Sequence, residues 1–147
     1  MKFSVLMSIY YKEQPEYFNR AMLSIWDDQT IRPGEIVLIE DGPLSKELYM
    51  VIKSWKVKLG NSLIIIHLEN NLGLGRALNI GLERCSYDLV ARMDTDDICR
   101  QDRFEKQLLL FSGGDVDICS SWVGEFYKNE KEIVSCKKLP ELHDDIV

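Results

Sequence analysis

The chain is poor in the residues that build structural metal centres. It has two histidines, His67 and His143, and four cysteines, Cys85, Cys99, Cys119 and Cys136, none in a Cys-x-x-Cys pair. That excludes a structural zinc site, which needs closely spaced sulfur and imidazole ligands. An even cysteine count permits disulfides, but nothing points to secretion. The thiols are expected to be reduced and mostly buried, as in a cytosolic protein. Positive charge is also scarce: 18 Lys and Arg stand against 24 Asp and Glu, a net charge of −6. No nucleic-acid partner is expected on that balance. No apolar run approaches the roughly 18 residues of a membrane-spanning helix. Residues 3 to 11 are apolar-rich after Lys2 but lack a small-residue cleavage site, so they read as a strand rather than a signal peptide. Phosphate loops are missing too. Gly73-Leu74-Gly75-Arg76-Ala77-Leu78-Asn79-Ile80-Gly81 is not Gly-x-Gly-x-x-Gly, because Leu78 stands where the third glycine should be, and no Gly-Lys-Ser/Thr occurs. Gly75 and Gly81 are instead expected to allow close helix–sheet packing.

What is present is an ordinary globular composition, 46% apolar and 29% charged over 147 residues, enough for one domain spanning 1–147 with a real core. Strand-like and helix-like segments alternate. Phe3 to Ile9, Glu35 to Ile39, Leu63 to Leu68 and Tyr87 to Met93 are compact apolar runs. Between them, helices are predicted from Pro15, from about Ser45, and over Leu74 to Arg84, with a fourth from about Gln101 to Phe111. This βαβαβαβα order predicts an α/β fold, a mostly parallel sheet with helices on both faces. After Val116 the texture changes to three shorter strand-like stretches, Val116 to Ser121, Trp122 to Tyr127 and Glu132 to Lys138, expected to be antiparallel. Leu139 to Val147 read as the start of a connection, with Asp144 and Asp145 opening a surface helix.

In open parallel sheets, ligands bind beyond the carboxyl ends of the strands. Three clusters fall there: Ser8-Ile9-Tyr10, Glu40-Asp41-Gly42, and Asp94-Thr95-Asp96-Asp97. The last sets three carboxylates within four residues. Like charges so close repel, and a cation would relieve them. Hard divalent ions take oxygen ligands, and magnesium sites commonly share the ion with substrate phosphates. Against this stands a plain acidic turn with an N-cap aspartate. A calcium loop starting at Asp94 fails, because Cys99 replaces the glycine at its sixth position and Ile98 is apolar at its fifth. A phosphatase with an aspartyl nucleophile fits poorly, since the motif follows the fourth strand. Asp41 before Gly42 could accept a hydrogen bond from a base or ribose, or form an Asx-turn. Tyr10 could stack on a base or cover the core edge. Arg76 could approach a phosphate.

Taken together these segments resemble the bacterial family 2 glycosyltransferases of the GT-A fold, in the branch that builds O-antigen, capsule and exopolysaccharide. The resemblance is carried by Ser4-Val5-Leu6-Met7-Ser8-Ile9-Tyr10, Ser24-Ile25-Trp26-Asp27-Asp28-Gln29-Thr30, Glu35 to Gly42, Asn71 to Leu82, and above all Ala91-Arg92-Met93-Asp94-Thr95-Asp96-Asp97-Ile98 with Arg103-Phe104-Glu105-Lys106-Gln107. It implies a nucleotide-sugar donor, a UDP-sugar, with Mn²⁺ or Mg²⁺. Ser8 and Tyr10 would lie by the uracil and Asp41 would contact the base. Asp94 would face the ribose or sugar, Asp96 would bind the metal, and Asp97 would share that role. Arg76 and Arg103 would be supporting charges.

Two departures matter. Gln101 stands where this branch commonly has Pro. No residue reads as the general base that an inverting enzyme needs, and that base is expected beyond residue 147. The resemblance thus implies the donor-binding part of a longer enzyme that attaches a sugar to a glycan or lipid-linked acceptor at the cytoplasmic membrane face. The alternative is a nucleotide-sugar-binding module without turnover. A nucleotidyltransferase would want a basic, glycine-rich loop after the first strand, and Tyr11-Lys12-Glu13-Gln14-Pro15 does not supply one. Lys53, Lys56, Lys58 and the lysines from Lys128 to Lys138 read as solvated surface charge; peripheral contact with anionic lipid is the alternative.

Overall fold

The computed structural model describes residues 1–139; the expected helix start at Asp144 and Asp145 lies outside them. Met1–Phe104 form one compact unit, and the residues from Glu105 onward form a second.

The first unit is a four-stranded parallel sheet in the order β3-β2-β1-β4. Its strands are β1 (Ser4–Ile9), β2 (Glu35–Glu40), β3 (Leu63–His67) and β4 (Val90–Arg92). The helices are α1 (Pro15–Trp26), α2 (Lys46–Leu59) and α3 (Leu74–Leu82); α4 (Arg103–Phe111) begins at the unit's end. The α/β architecture read from the sequence is the one observed. Every residue of β2 is buried, as a central parallel strand covered on both faces requires.

Side chains alternate across a strand, and the register assigns the two faces. Leu6 pairs with Val37, and Val37 with Ile64. Leu6, Val37 and Ile39 pack with Ala77 of α3, joined by Ile64, Ile66 and Leu78. The opposite face carries Val5, Met7, Ile36 and Leu38, and buried side chains for it come from α1 (Phe18, Met22, Ile25) and α2 (Leu48, Ile52, Trp55). Trp55 Nε1 donates to Asn19 Oδ1 at 2.9 Å, tying α2 to α1.

Gly81 packs as expected: a Cβ there would sit 2.5 Å from Leu6 Cδ1 and 2.9 Å from Ile39 Cδ1. Gly75 does not, because nothing lies within 4 Å of its Cβ position. Helix α3 packs on the sheet from Ala77 onward, and Leu74, Gly75 and Arg76 before it are exposed.

Strand β4 is shorter than the Tyr87 to Met93 run. Ser86 is taken by Glu35, which accepts from Ser86 N (2.6 Å), Ser86 Oγ (2.8 Å) and Ser4 Oγ (2.6 Å). Tyr87 lies against Gly34. Pairing with β1 starts at Val90, opposite Ser4, the first residue of β1. The thiols are less buried than expected: only Cys99 is buried, Cys85 and Cys119 are half-buried and Cys136 is exposed.

In the second unit, β5 (Val123–Glu125) and β6 (Ser135–Lys137) pair antiparallel. Val116 to Ser121 forms no strand. Two of the lysines there are engaged within the hairpin: Lys137 pairs with Glu125 at 2.7 Å, and Lys138 lies over the Trp122 ring at 4.7 Å. Among the described residues no helix is long and apolar enough to cross a membrane.

Candidate functional site

Strand order decides where a ligand fits. The chain runs outward from β1 to β2 and β3, then returns to place β4 on the other side of β1. The crevice between the carboxyl ends of β1 and β4 is therefore the switch point where doubly wound sheets bind ligands.

The three predicted clusters converge on this edge. Ser8 is the penultimate residue of β1, half-buried, and Tyr10 follows β1, 42% exposed. Ile9 pairs with Glu40, and Asp41 N donates to Ile9 O at 2.8 Å, so Tyr10 and Asp41 leave the sheet side by side. On the other flank Leu6 pairs with Arg92, and Met93 N donates to Leu6 O at 3.0 Å. Asp94 follows directly where the ladder with β1 ends, on the same edge of the sheet as Ser8. The chain then turns at Thr95–Asp96, leaving Asp96 and Asp97 exposed. Tyr10 stands edge-on to Tyr11, with centroids 5.8 Å apart.

Asp41 has a role the sequence did not show. It is buried, 3% exposed. Its Oδ1 accepts from Leu72 N (2.6 Å) and its Oδ2 from Gly73 N (3.1 Å), so the carboxylate sits at the start of α3. A negative charge is favourable at a helix N-terminus. This is not an Asx-turn, since the bonds cross to a loop more than thirty residues away. The neighbouring Gly42 has φ +87° and would drive a Cβ to 2.8 Å from Asn71 N, so only glycine fits between the two loops. Arg76 is exposed on the first turn of α3, at the same edge.

Glu40 is buried beside Asp41 and meets His67 Nδ1 at 2.5 Å. The acidic turn is braced from below. Asp94 forms an ion pair with Arg92, and Arg103 donates to Arg92 O at 3.1 Å. Arg103 thus supports the strand end before the carboxylates. Partial desolvation pushes the Asp97 carboxyl above its ordinary range, helped by the charges of Asp94 and Asp96 and opposed by Arg92 and Arg103.

Beyond the turn, Gln29 Nε2 donates to Arg100 O (2.8 Å) and Ser24 O (2.6 Å), Cys99 N donates to Ser24 Oγ (3.0 Å), and Thr30 N to Gln101 O (3.1 Å). The Gln29-Thr30 pair after α1 is therefore the clamp that holds the segment following the carboxylates. The sequence carried no physical signal for that clamp, nor for Glu13, whose Oε2 accepts from Thr95 Oγ1 at 2.5 Å.

The donor set suits a hard cation: carboxylate oxygens on an exposed turn, crowded enough to repel one another. Among the described residues no three His, Cys, Asp or Glu side chains gather closely enough to hold an ion alone. An ion here would complete its shell with phosphate oxygens and water, as magnesium usually does.

Comparison with known proteins identifies the family and the fold. The pattern of Glycosyl transferase family 2 matches residues 4–143. The chain is 48% identical over 145 residues to the amylovoran biosynthesis glycosyltransferase AmsE of Erwinia amylovora, covering 98% of this chain and 53% of the relative. It is 46% identical over 140 residues to the Escherichia coli UDP-Gal:alpha-D-GlcNAc-diphosphoundecaprenol beta-1,3-galactosyltransferase, covering 95% and 50%. The chain thus spans about half the length of these curated relatives. Its fold matches the crystal structure of S. aureus TarS 1-349 in complex with UDP-GlcNAc, with a TM-score of 0.65 at 24% identity over 77% of this chain and 32% of that one. It also matches the Pyrobaculum calidifontis mannosyltransferase in complex with GDP-Man and Mn²⁺, with a TM-score of 0.65 at 16% identity over 76% and 32%. The chain belongs to Glycosyl transferase family 2.

Proposed function

We propose that residues 1–147 form the nucleotide-sugar-binding part of an inverting, metal-dependent glycosyltransferase of surface polysaccharide synthesis. The donor is a UDP-sugar, and the acceptor is a glycan or lipid-linked glycan at the cytoplasmic membrane face. The observation that carries this reading is the placing of Asp94, Asp96 and Asp97 at the switch point beside Ser8 and Tyr10. Support comes from the relatives, one of which is named for a UDP-galactose donor and a diphosphoundecaprenol-linked acceptor.

In this reading Tyr10 stacks on the uracil beside Ser8, and Asp41 accepts from the base while holding the start of α3. Asp94 orients the ribose or sugar, and Arg76 faces phosphate. Asp96 and Asp97 hold Mn²⁺ or Mg²⁺, which when bound neutralises the departing diphosphate. Burial, together with the charges of Asp94 and Asp96, disfavours the charged form of Asp97, and a cation beside it would relieve that cost. Inversion further requires a base for the acceptor hydroxyl, a role given to no described residue.

A thermal-shift series with UDP, GDP and dTDP, each with and without Mn²⁺, tests the reading. Ligand at about 100 times its Kd adds roughly 2.7 kcal/mol, or roughly 5–10 °C in Tm for a chain of this size. UDP with Mn²⁺ should give the largest rise. Equal rises with all three nucleotides, or none, would remove the donor assignment. Sugar transfer by the chain itself then separates an enzyme from a module that only binds.

A further inference from the structure

We propose that Glu13 is a positioning residue that sets the acidic turn for cation and diphosphate binding by holding the Thr95 hydroxyl across the β1–β4 crevice. The inference rests on the nucleotide-sugar reading of that crevice and adds a residue to it.

The geometry is specific. Glu13 lies in the loop between β1 and α1, and its own N–H donates to Tyr10 O at 3.1 Å. Its Oε1 accepts from Gln14 N at 2.8 Å, where Gln14 opens α1 without a side-chain cap of its own. Its Oε2 accepts from Thr95 Oγ1 at 2.5 Å. One carboxylate therefore joins the start of a rigid helix to the turn on the far side of the crevice. Thr95 is 5% exposed, whereas Asp96 beside it faces solvent. Ionised carboxylates only accept hydrogen bonds, so within Asp94 to Asp97 the threonine hydroxyl is the side-chain group able to donate. Anchoring it inward fixes the backbone between Asp94 and Asp96 and turns Asp96 outward. β4 has left its ladder with β1 after Met93, so ladder bonds no longer hold the turn at this point.

A bond that merely glued two loops would matter for folding alone. A positioning bond also sets how well the carboxylates meet a cation, because metal and diphosphate ligands tolerate little misplacement. The test is the Mn²⁺ concentration that half-saturates UDP binding, read by calorimetry on the 147-residue chain. Thr95→Val and Glu13→Ala should each raise it about tenfold, equivalent to roughly 1.4 kcal/mol. The double variant should also sit near tenfold, because both changes remove one interaction. Thr95→Ser, which keeps the hydroxyl, should stay within about twofold. Multiplication to about a hundredfold in the double variant, or no rescue by serine, overturns the proposal. Should Thr95→Val not fold, Glu13→Ala alone must still raise the half-point, and no rise overturns the proposal. If the parent binds UDP with Mn²⁺ and the variants match it, the positioning role fails while the nucleotide reading stands. If the parent shows no Mn²⁺-dependent UDP binding, both fall.

Discussion

Replacing Asp41 should destabilise the protein before any ligand is added. The carboxylate is 3% exposed and accepts two backbone N–H bonds at 2.6 and 3.1 Å from Leu72 and Gly73. Hydrogen bonds to a charged group are each worth about 1.5–3 kcal/mol, and loss of a helix-start cap costs about 1 kcal/mol. The full sum overstates the loss, because Leu72 is exposed and Gly73 half-exposed, so water can reach the freed N–H groups. Asp41→Ala should therefore cost about 2–3 kcal/mol. Asp41→Asn keeps one acceptor oxygen but turns an NH₂ toward the second N–H donor, and should cost about 1–2 kcal/mol. Urea unfolding without nucleotide or metal measures both. If Asp41→Ala lies within about 0.5 kcal/mol of the parent, the carboxylate does not hold the start of α3 and serves a ligand only.

Two glycines of α3 should respond in opposite directions. Gly81→Ala puts a methyl 2.5 Å from Leu6 Cδ1. Overpacking costs about 1–3 kcal/mol, which outweighs the gain of about 1 kcal/mol in helix propensity. Gly75→Ala meets open space and should stabilise by up to about 1 kcal/mol; paired urea melts decide both. Glu35 should give acid sensitivity. Burial raises its carboxyl, but the hydrogen bonds from Ser4 and Ser86 together outweigh it and hold it below 4.5. Its contribution is complete above the unfolded value and is lost as pH falls through the lower folded one. Glu35→Gln should therefore flatten the decline in urea midpoint between pH 5 and pH 3; an unchanged slope would assign acid sensitivity elsewhere.

The architecture was legible because its signals are local. The alternation of Val5, Met7 and Ile9 with Leu6, and the unbroken apolar run of β2, mark strands that the register then confirms. The place of the carboxylates at the end of β4 was equally readable, since they follow its apolar run directly in sequence; that β4 lies beside β1 was not, because right-handed crossovers do not fix which edge a strand joins. What stayed hidden depends on partners far apart in sequence. Thr95 meets Glu13, Gln29 meets Arg100, and Glu35 meets Ser86 across separations of 82, 71 and 51 residues. Each is a polar side chain whose local reading is a solvated loop or strand end. The late start of β4 has a related origin, because its partner strand β1 begins only at Ser4, which pairs with Val90. Gly75 misled for another reason: glycine spacing looks alike whether the missing Cβ admits a sheet or open water.

The central claim is that the carboxylates after β4 hold a cation that in turn holds a diphosphate. Calorimetric titration of UDP into the parent chain and into Asp96→Ala, each with and without Mn²⁺, tests it most directly. Parent binding should require Mn²⁺, and affinity should fall at least about tenfold in Asp96→Ala, roughly 1.4 kcal/mol or more. UDP binding of equal strength without Mn²⁺, or in Asp96→Ala, would contradict it.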